Sequence, residues 1–171
     1  MHVFLTGERQ IGKSRALNRA AEMLGMPCRG FRTCFLTKER GSSSLYMLPA
    51  EEEGPLDEDH LVARLEQGRL HGLTERFDLL GSEILRKSRE NPDALILMDE
   101  CGHLEKSARV FQREILRCLD GDQPVLGILR KNQEWHAFIR QHPRVTVLEV
   151  NEDNRHMIAE TVVSLISQEE K

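Results

Sequence analysis

The residues Gly7-Glu8-Arg9-Gln10-Ile11-Gly12-Lys13-Ser14 match the phosphate-binding loop pattern G-x-x-x-x-G-K-[ST] at every position. An apolar run, Val3-Phe4-Leu5, comes directly before this stretch, and apolar residues recur at helical spacing after it. A strand before the loop and a helix after it are the context that this motif requires. The stretch therefore predicts an α/β protein in which the first strand and the first helix are joined by a phosphate-binding loop.

The loop pattern indicates anion binding because it gathers backbone N–H groups around one ligand at the positive end of a helix. Gly7 and Gly12 leave space for phosphate oxygens and adopt backbone angles that other residues resist. Lys13 is predicted to contact the β- and γ-phosphates, and the Ser14 hydroxyl to ligate Mg²⁺. The predicted phosphate-binding residues are Gly7, Glu8, Arg9, Gln10, Ile11, Gly12, Lys13, Ser14 and Arg15.

Length and composition limit the class of protein. With 171 residues, 39% of them hydrophobic, the chain fits a single domain over residues 1–171. A net charge of −4 argues against broad electrostatic binding of nucleic acid. No apolar run approaches the roughly 20 residues of a membrane helix, and no signal-peptide pattern opens the chain, so we expect a cytoplasmic protein. The four cysteines and seven histidines show no metal-ligand spacing, so we predict no transition metal.

Strand and helix patterns alternate along the chain, which predicts a mostly parallel central sheet with helices on both faces. A β-hairpin is predicted near 30–49, across residues 38–44. Residues 50–72 have the least regular pattern and are predicted to form a surface excursion with a short helix near 57–66. The predicted strands are 3–6, 30–37, 45–48, 94–98, 124–129 and 145–150, and the other predicted helices are 13–24, 73–90, 107–119, 134–141 and 154–167.

A second motif follows a buried strand. The continuously apolar run 94–98 is typical of a central parallel strand, and Asp99 and Glu100 come directly after it. Because ligands of open α/β sheets bind beyond the carboxyl ends of the strands, Asp99 is predicted beside the phosphate loop, where it would help Ser14 hold Mg²⁺. Glu100 is the type of group that orients and deprotonates a water attacking the γ-phosphate. The pair of motifs favours hydrolysis over phosphoryl transfer to a second substrate.

Together these motifs resemble the small nucleoside-triphosphatase family first described from thermophiles, whose human member is called cancer-related nucleoside-triphosphatase. The likeness spans most of the chain. In that family the second motif typically reads D-E-I-G-x-M-E, which Asp99, Glu100, Gly102 and Glu105 match. The resemblance implies a P-loop NTPase fold of the Asp-Glu Walker B class, and slow, magnesium-dependent hydrolysis of ATP, GTP and other nucleoside triphosphates. The other segments that carry the likeness are Gly30-Phe31-Arg32-Thr33, Phe111, Pro124-Val125-Leu126 and Glu152-Asp153-Asn154-Arg155.

The family pattern also suggests which residues lie near the nucleotide, and where this chain departs from it. The match implies positions near the nucleotide for Gly102, Glu105, Asn154 and Arg155. His103 stands where the family usually has a lysine, so any positive charge there depends on imidazole protonation.

After the predicted strand ending at Leu129, Arg130 and Lys131 replace the polar residue expected to face the γ-phosphate. Either residue could stabilise transition-state charge as an arginine finger does, and we assign Arg130 as the third catalytic residue, beside Lys13 and Glu100. A basic pair after a strand is also commonly solvent-exposed.

Two alternative functions stay open from the sequence. One is a small-molecule or nucleoside kinase on the same fold, which would need an arginine-bearing lid; residues 50–72, with Arg64 and Arg69, are the candidate. The other is a nucleotide-dependent switch or assembly factor with low intrinsic turnover. The sequence contains no guanine-reading N-K-x-D motif, and it identifies neither the preferred base nor a protein partner.

Overall fold

The strand that carries the phosphate loop lies inside an eight-stranded mixed sheet, in a computed structural model that describes residues 1–37 and 42–168. The strands are β1 (His2–Gly7), β2 (Cys28–Thr37), β3 (Ser43–Pro49), β4 (Leu61–Glu66), β5 (Arg69–Gly72), β6 (Leu95–Cys101), β7 (Val125–Leu129) and β8 (Val145–Val150). The helices are α1 (Lys13–Leu24), α2 (Thr74–Arg76), α3 (Ser82–Ser88), α4 (Arg109–Asp120), α5 (Ala137–Arg140) and α6 (Ile158–Ser167).

The order of the strands across the sheet is β5-β4-β3-β2-β6-β7-β1-β8. The strands β2, β6, β7, β1 and β8 pair in parallel, and β3, β4 and β5 extend the sheet by antiparallel pairing. β7 therefore separates β1, which leads into the phosphate loop, from β6, which ends at the Asp99-Glu100 motif. The mostly parallel sheet predicted from the alternating pattern is confirmed, and so is the hairpin near 30–49, whose residues 38–41 lie outside the described residues.

Two apolar cores cover the two faces of the sheet, because successive side chains of a strand point to opposite faces. Val3 and Leu5 of β1 pack with α1 and α6, whereas Phe4 faces the core formed with α3, α4 and α5. The second core is centred on Phe111 of α4, whose ring contacts two other phenylalanines, Phe31 and Phe77, at centroid distances of 5.5 and 5.9 Å. Helices on both faces were predicted and are confirmed.

Most predicted element bounds agree with the structure, but three helical predictions change. The segment predicted as one helix over 73–90 consists of α2, a wider π turn at Phe77–Gly81 and α3. The helix predicted over 134–141 is limited to α5. The last helix begins at Ile158 rather than Asn154, because the Asn154 side chain bonds the backbone of Asn151 and Glu149 and so forms a turn instead.

The short helix predicted near 57–66 is wrong. A 3-10 turn occupies Glu58–His60, and Leu61–Glu66 forms β4, which pairs with β3 on one side and β5 on the other. The strand forms because the free edge of β3 supplies backbone hydrogen-bond partners, and Val62 and Ala63 become fully buried. Residues 50–72 thus include two strands of the sheet.

Within the described residues, no helix is long and apolar enough to cross a membrane.

The close pairing of β2 and β6 generates a stability prediction at Gly30. Its φ is +93°, and an added Cβ would lie 2.0 Å from the Leu97 carbonyl oxygen, so Gly30→Ala meets both backbone strain and a collision with backbone. We expect a loss of about 3 kcal/mol or more in the free energy of unfolding, measured by urea denaturation.

The matched control is Gly25→Ala, where φ is +66° but no atom lies within 4 Å of an added Cβ. We expect this variant to lose about 1 kcal/mol in the free energy of unfolding, from the backbone conformation alone. Equal losses in the two variants would contradict the close approach of β2 to β6.

Candidate active site

The phosphate loop leaves β1 at Gly7 and enters α1 at Lys13. Gly7 has φ of +146°, and an added Cβ would lie 2.5 Å from the Val150 carbonyl oxygen, so β8 closes directly against the loop. Gly12 has φ of +108° and caps α1, and its carbonyl accepts from the Ala16 N–H at 3.0 Å. Both glycines are therefore required by the backbone path, and the free N–H groups of the first helical turn face the loop. Glu8, Arg9 and Gln10 are exposed.

The Lys13 side chain folds back over the loop that precedes it. Its Nζ donates to the carbonyl oxygens of Gly7 at 3.0 Å and Glu8 at 2.7 Å. The ammonium is thereby held at the concave side of the loop, at the positive end of α1, where an anion would be bound. The predicted position of Lys13 beside the anion site is consistent with this geometry.

The first turn of α1 and the carboxyl end of β6 meet at Ser14 and Asp99. The Ser14 hydroxyl lies beside the Asp99 carboxylate, and the Thr33 hydroxyl donates to the Asp99 backbone carbonyl at 3.1 Å. Burial, followed by the neighbouring Glu100 charge, raises the pKa of Asp99 to about 6, while the Ser14 hydroxyl and Lys13 oppose the shift. A negative charge at Asp99 is thus incompletely compensated by its surroundings, which suits a cation.

The chemistry of this pair fits Mg²⁺. A hydroxyl and a carboxylate are hard oxygen donors, and Mg²⁺ in phosphate-binding sites commonly takes one or two protein oxygens, with phosphate and water completing its octahedron. In the two described ranges no group of three or more His, Cys, Asp or Glu side chains could hold a metal ion. The donor set formed by Ser14 and Asp99 therefore fits a metal that shares its ligands with a bound triphosphate.

Three functional side chains surround Gly102, in the turn after β6. An added Cβ at Gly102 would lie 3.8 Å from Arg130 Cδ, 3.9 Å from Glu100 Oε1 and 4.0 Å from Glu105 Oε2. The predicted catalytic pair, Glu100 and Arg130, is thus brought to one point although 30 residues separate the two in the chain. Arg130 is exposed on that side.

His103 pairs with Arg130 in the same turn. The His103 Nδ1 lies 3.0 Å from the Arg130 Nη1. Burial, followed by the Arg130 and Lys106 charges, lowers the pKa of His103. The His103 imidazole is therefore favoured in its neutral form, in which it accepts a hydrogen bond from the guanidinium.

Glu105 lies beneath this turn rather than at its surface. Its side chain is only 3% exposed, and its Oε1 accepts from the Gly102 N–H at 2.6 Å. Burial raises the pKa of Glu105 to about 7, and the Glu100 charge adds to the rise, although backbone N–H groups of Gly102, Glu105 and Leu104 oppose it. The structure therefore gives Glu105 no open route to a nucleotide.

Lys131, the second basic residue after β7, connects three parts of the site. Its Nζ lies 2.8 Å from Glu8 Oε1 in the phosphate loop and 2.6 Å from Glu149 Oε1 in β8. These contacts raise the pKa of Lys131 and lower that of Glu8. Of the two basic residues, only Arg130 is left facing the Glu100 side of the site.

A cleft of about 430 Å³ adjoins the other side of the loop, between α1 and the start of α6. Four basic side chains line it, and the motifs had identified only Arg15 and Arg155. Arg19 was missed, although its position one helical turn after Arg15 is a usable signal. Asn154 is engaged in the β8–α6 turn. The polar and charged lining residues are Gln10, Arg15, Arg19, Arg155 and His156.

Comparisons with known proteins identify the family of the chain. A family model described as NTPase matches residues 2–163. The chain is 29% identical over 161 residues to the nucleoside-triphosphatase THEP1 of Methanosarcina barkeri, with 91% of each protein covered. It is 22% identical over 168 residues to the nucleoside-triphosphatase THEP1 of Thermotoga maritima, with 97% of this chain and 95% of the relative covered.

A solved structure shows the same fold. The crystal structure of THEP1 from the hyperthermophile Aquifex aeolicus superposes with a TM-score of 0.74 at 20% sequence identity. The superposition covers 97% of this chain and 99% of that one. The predicted P-loop fold class is confirmed.

The burial of Glu105 generates a pH-dependent prediction. Because its pKa is about 7 in the folded chain and 4.5 as a free side chain, its carboxyl disfavours ionisation in the folded state. The contribution of the protonated Glu105 carboxyl to the free energy of unfolding is fully present below pH 4.5 and is lost as the pH rises through about 7. Glu105→Gln has no proton to lose, so we expect its stability advantage over the parent to grow across this range by up to about 3 kcal/mol.

Urea denaturation at pH 5, 6, 7 and 8 measures this difference. Glu75→Gln, at an exposed position on α2, is the control and should show a small difference that does not vary with pH. A flat profile for Glu105→Gln would contradict the burial of an ionisable carboxyl at this position.

Proposed function

The chain belongs to the NTPase family, and from that premise we propose that it is a magnesium-dependent hydrolase of ATP, GTP and other nucleoside triphosphates. The products are the nucleoside diphosphate and inorganic phosphate. The observation that carries the proposal is the close approach of the Ser14 hydroxyl, at the start of α1, to the Asp99 carboxylate, with Glu100 next to it. It brings the phosphate loop to the end of the acidic strand. We also propose a cytoplasmic location, on the sequence grounds given above.

In the proposed mechanism, the N–H groups of residues 7–15 and the Lys13 ammonium bind the phosphates. The position of Lys13 supports this role. Its Nζ already donates to two carbonyl oxygens of the loop, and a γ-phosphate oxygen can take the place of these oxygens as the acceptor. Ser14 and Asp99 would hold Mg²⁺, which, when bound, neutralises charge on the phosphate oxygens. The remaining chemistry depends on how water is oriented and deprotonated.

Glu100 is proposed to orient that water and accept its proton. The water oxygen forms a bond to the γ-phosphorus, the bond from that phosphorus to the β–γ bridging oxygen breaks, and the proton moves to a Glu100 carboxylate oxygen. Among the acidic groups around Gly102, Glu100 is the suitable one because Asp99 is assigned to the metal and Glu105 is buried. Arg130, whose Cδ is next to the same glycine, is proposed to stabilise charge on the transferred phosphoryl group.

Broad base specificity is supported by the composition of the cleft beside the loop. Guanidinium groups of Arg15, Arg19 and Arg155 are planar cations that stack on any base without reading its edge. No acidic side chain is among the described residues that line this cleft, and Glu160, which lies 3.0 Å from the lining residue Arg19, is engaged by that guanidinium. We infer the slow turnover from the family resemblance.

The kinase alternative needs an arginine lid, and the candidate residues do not support one. Arg64 lies in β4, where it pairs with Glu58 at 2.5 Å, and Arg69 begins β5, where its backbone is in register with Glu66 of β4. β4 is five strands away from β1 in the sheet, which corresponds to about 24 Å. Hydrolysis is therefore the function that we favour.

The experiment is magnesium-dependent phosphate release from ATP, GTP, CTP and UTP, with nucleotide binding measured separately. We expect the parent chain to hydrolyse all four. Glu100→Gln should still bind nucleotide but lose kcat by about 100-fold or more, because general-base catalysis commonly contributes that much. Lys13→Ala should lose binding and turnover together, and EDTA should abolish turnover.

Glu75→Gln is the matched control for the loss of one carboxylate elsewhere and should retain parental kcat. Unchanged turnover in Glu100→Gln would exclude Glu100 as the base. If the parent binds nucleotide but releases no phosphate above the Lys13→Ala background, the kinase or the nucleotide-dependent switch replaces hydrolysis as the working hypothesis.

A further inference from the structure

Both backbone polar groups of Gly102 are bonded to side chains. Its N–H donates to Glu105 Oε1 at 2.6 Å, and its carbonyl oxygen accepts from the Trp135 indole Nε1 at 2.5 Å. Gly102 is buried, so neither group is solvated, and each depends on its one side-chain partner. Glu105 contacts it from within the turn, whereas Trp135 reaches it from the segment between β7 and α5.

Further hydrogen bonds hold the same turn at its beginning and at its end. The Arg130 N–H donates to the Cys101 carbonyl at 3.0 Å, which continues the pairing of β6 with β7. The buried Gln112 side chain of α4 donates to the carbonyls of Glu105 at 3.1 Å and Lys106 at 2.8 Å. These bonds fix the beginning and the end of the turn, so Gly102 in its middle is the point that Glu105 and Trp135 control.

Glu100 and Arg130 are the groups that a displaced Gly102 would disturb. Glu100 precedes it by two residues, and both side chains approach it within 4 Å of where a Cβ would be. A shift of about 1 Å in such a turn is enough to misplace a water-orienting carboxylate and to lower a rate by up to 100-fold.

We infer that Glu105 and Trp135 are positioning residues: by holding the N–H and the carbonyl of Gly102, they set Glu100 and Arg130 for attack on the γ-phosphate. This inference rests on the proposed function. Neither residue contacts the nucleotide in this account, so the position near the nucleotide that the family match implied for Glu105 becomes an indirect role.

The hydrogen bond to Gly102 requires an acceptor and not a charge. A glutamine carbonyl oxygen accepts from an N–H as a carboxylate does, whereas leucine fills a similar volume without any acceptor. Burial raises the pKa of Glu105, which favours its neutral form, and a glutamine carbonyl supplies the same kind of acceptor as that form. The conservative variant should therefore function, and the apolar one should not.

The test compares Glu105→Gln, Glu105→Leu and Trp135→Phe for MgATP turnover, with the Kd of a fluorescent ATP analogue measured in parallel. We expect Glu105→Leu and Trp135→Phe each to lose kcat by about tenfold or more, while Kd changes less than about threefold. Glu105→Gln should keep kcat within about threefold of the parent.

The control is Glu114→Gln, which changes another buried glutamate, on α4. Glu114 pairs with Arg89 at 2.6 Å and with Arg117 at 2.5 Å. It should lower the urea midpoint without lowering kcat in the folded protein. Trp135 is the single tryptophan, so its emission also reports on the turn and should shift in Glu105→Leu but not in Glu114→Gln.

Two outcomes would overturn the inference: folded Glu105→Leu and Trp135→Phe with parental kcat, or Glu105→Gln as impaired as Glu105→Leu. If Glu105→Leu does not fold, Trp135→Phe decides alone, because it removes one hydrogen bond and retains most of the ring. Failure of the proposed function is recognised separately, since the parent and Glu100→Gln would then have equal turnover.

Discussion

The close approach of the Ser14 hydroxyl to the Asp99 carboxylate is the contact on which the account of this protein depends. It brings α1, which follows β1, to the end of β6, although β7 lies between β1 and β6, and it therefore requires all three strands to end at the same level. Parallel pairing provides this, since the carboxyl ends of parallel strands meet at one edge of the sheet. The phosphate loop, the acidic motif and Arg130 follow these three ends. Everything that we assign to chemistry is thus positioned by one sheet edge.

The two sides of that edge differ in character. On one side, the loop borders a basic cleft that contains three arginines, in a chain whose net charge is −4. On the other side, the end of β6 and the turn after it bring together Asp99, Glu100 and the buried Glu105, with Arg130 next to Glu100. The positive side suits a polyanion and the negative side suits a cation and a water to be deprotonated. A triphosphate bound along the loop would connect the two sides, which accounts for separate residues serving binding and hydrolysis.

Much of this fold could be predicted from local patterns, and the failures have a common physical cause. The loop, α1 and β8 were predicted with their observed bounds, because glycine positions and apolar periodicity are local signals. β4 was mistaken for a helix because what makes it a strand is the edge of β3, which no local pattern records. The bond from Trp135 to Gly102 joins residues 33 apart, and Gln112 of α4 bonds the backbone of the buried Glu105 from outside the turn. The motif predicted that Glu105 matters, but only the packing indicates how.

A crystal structure of the chain with ADP, Mg²⁺ and beryllium trifluoride tests the central claim most directly. The account predicts Mg²⁺ bound by Ser14 and Asp99, with a water held between the Glu100 carboxylate and the trifluoride in line with the β-phosphate oxygen. Mg²⁺ bound without Asp99, or a Glu100 carboxylate turned away from that water, would contradict it.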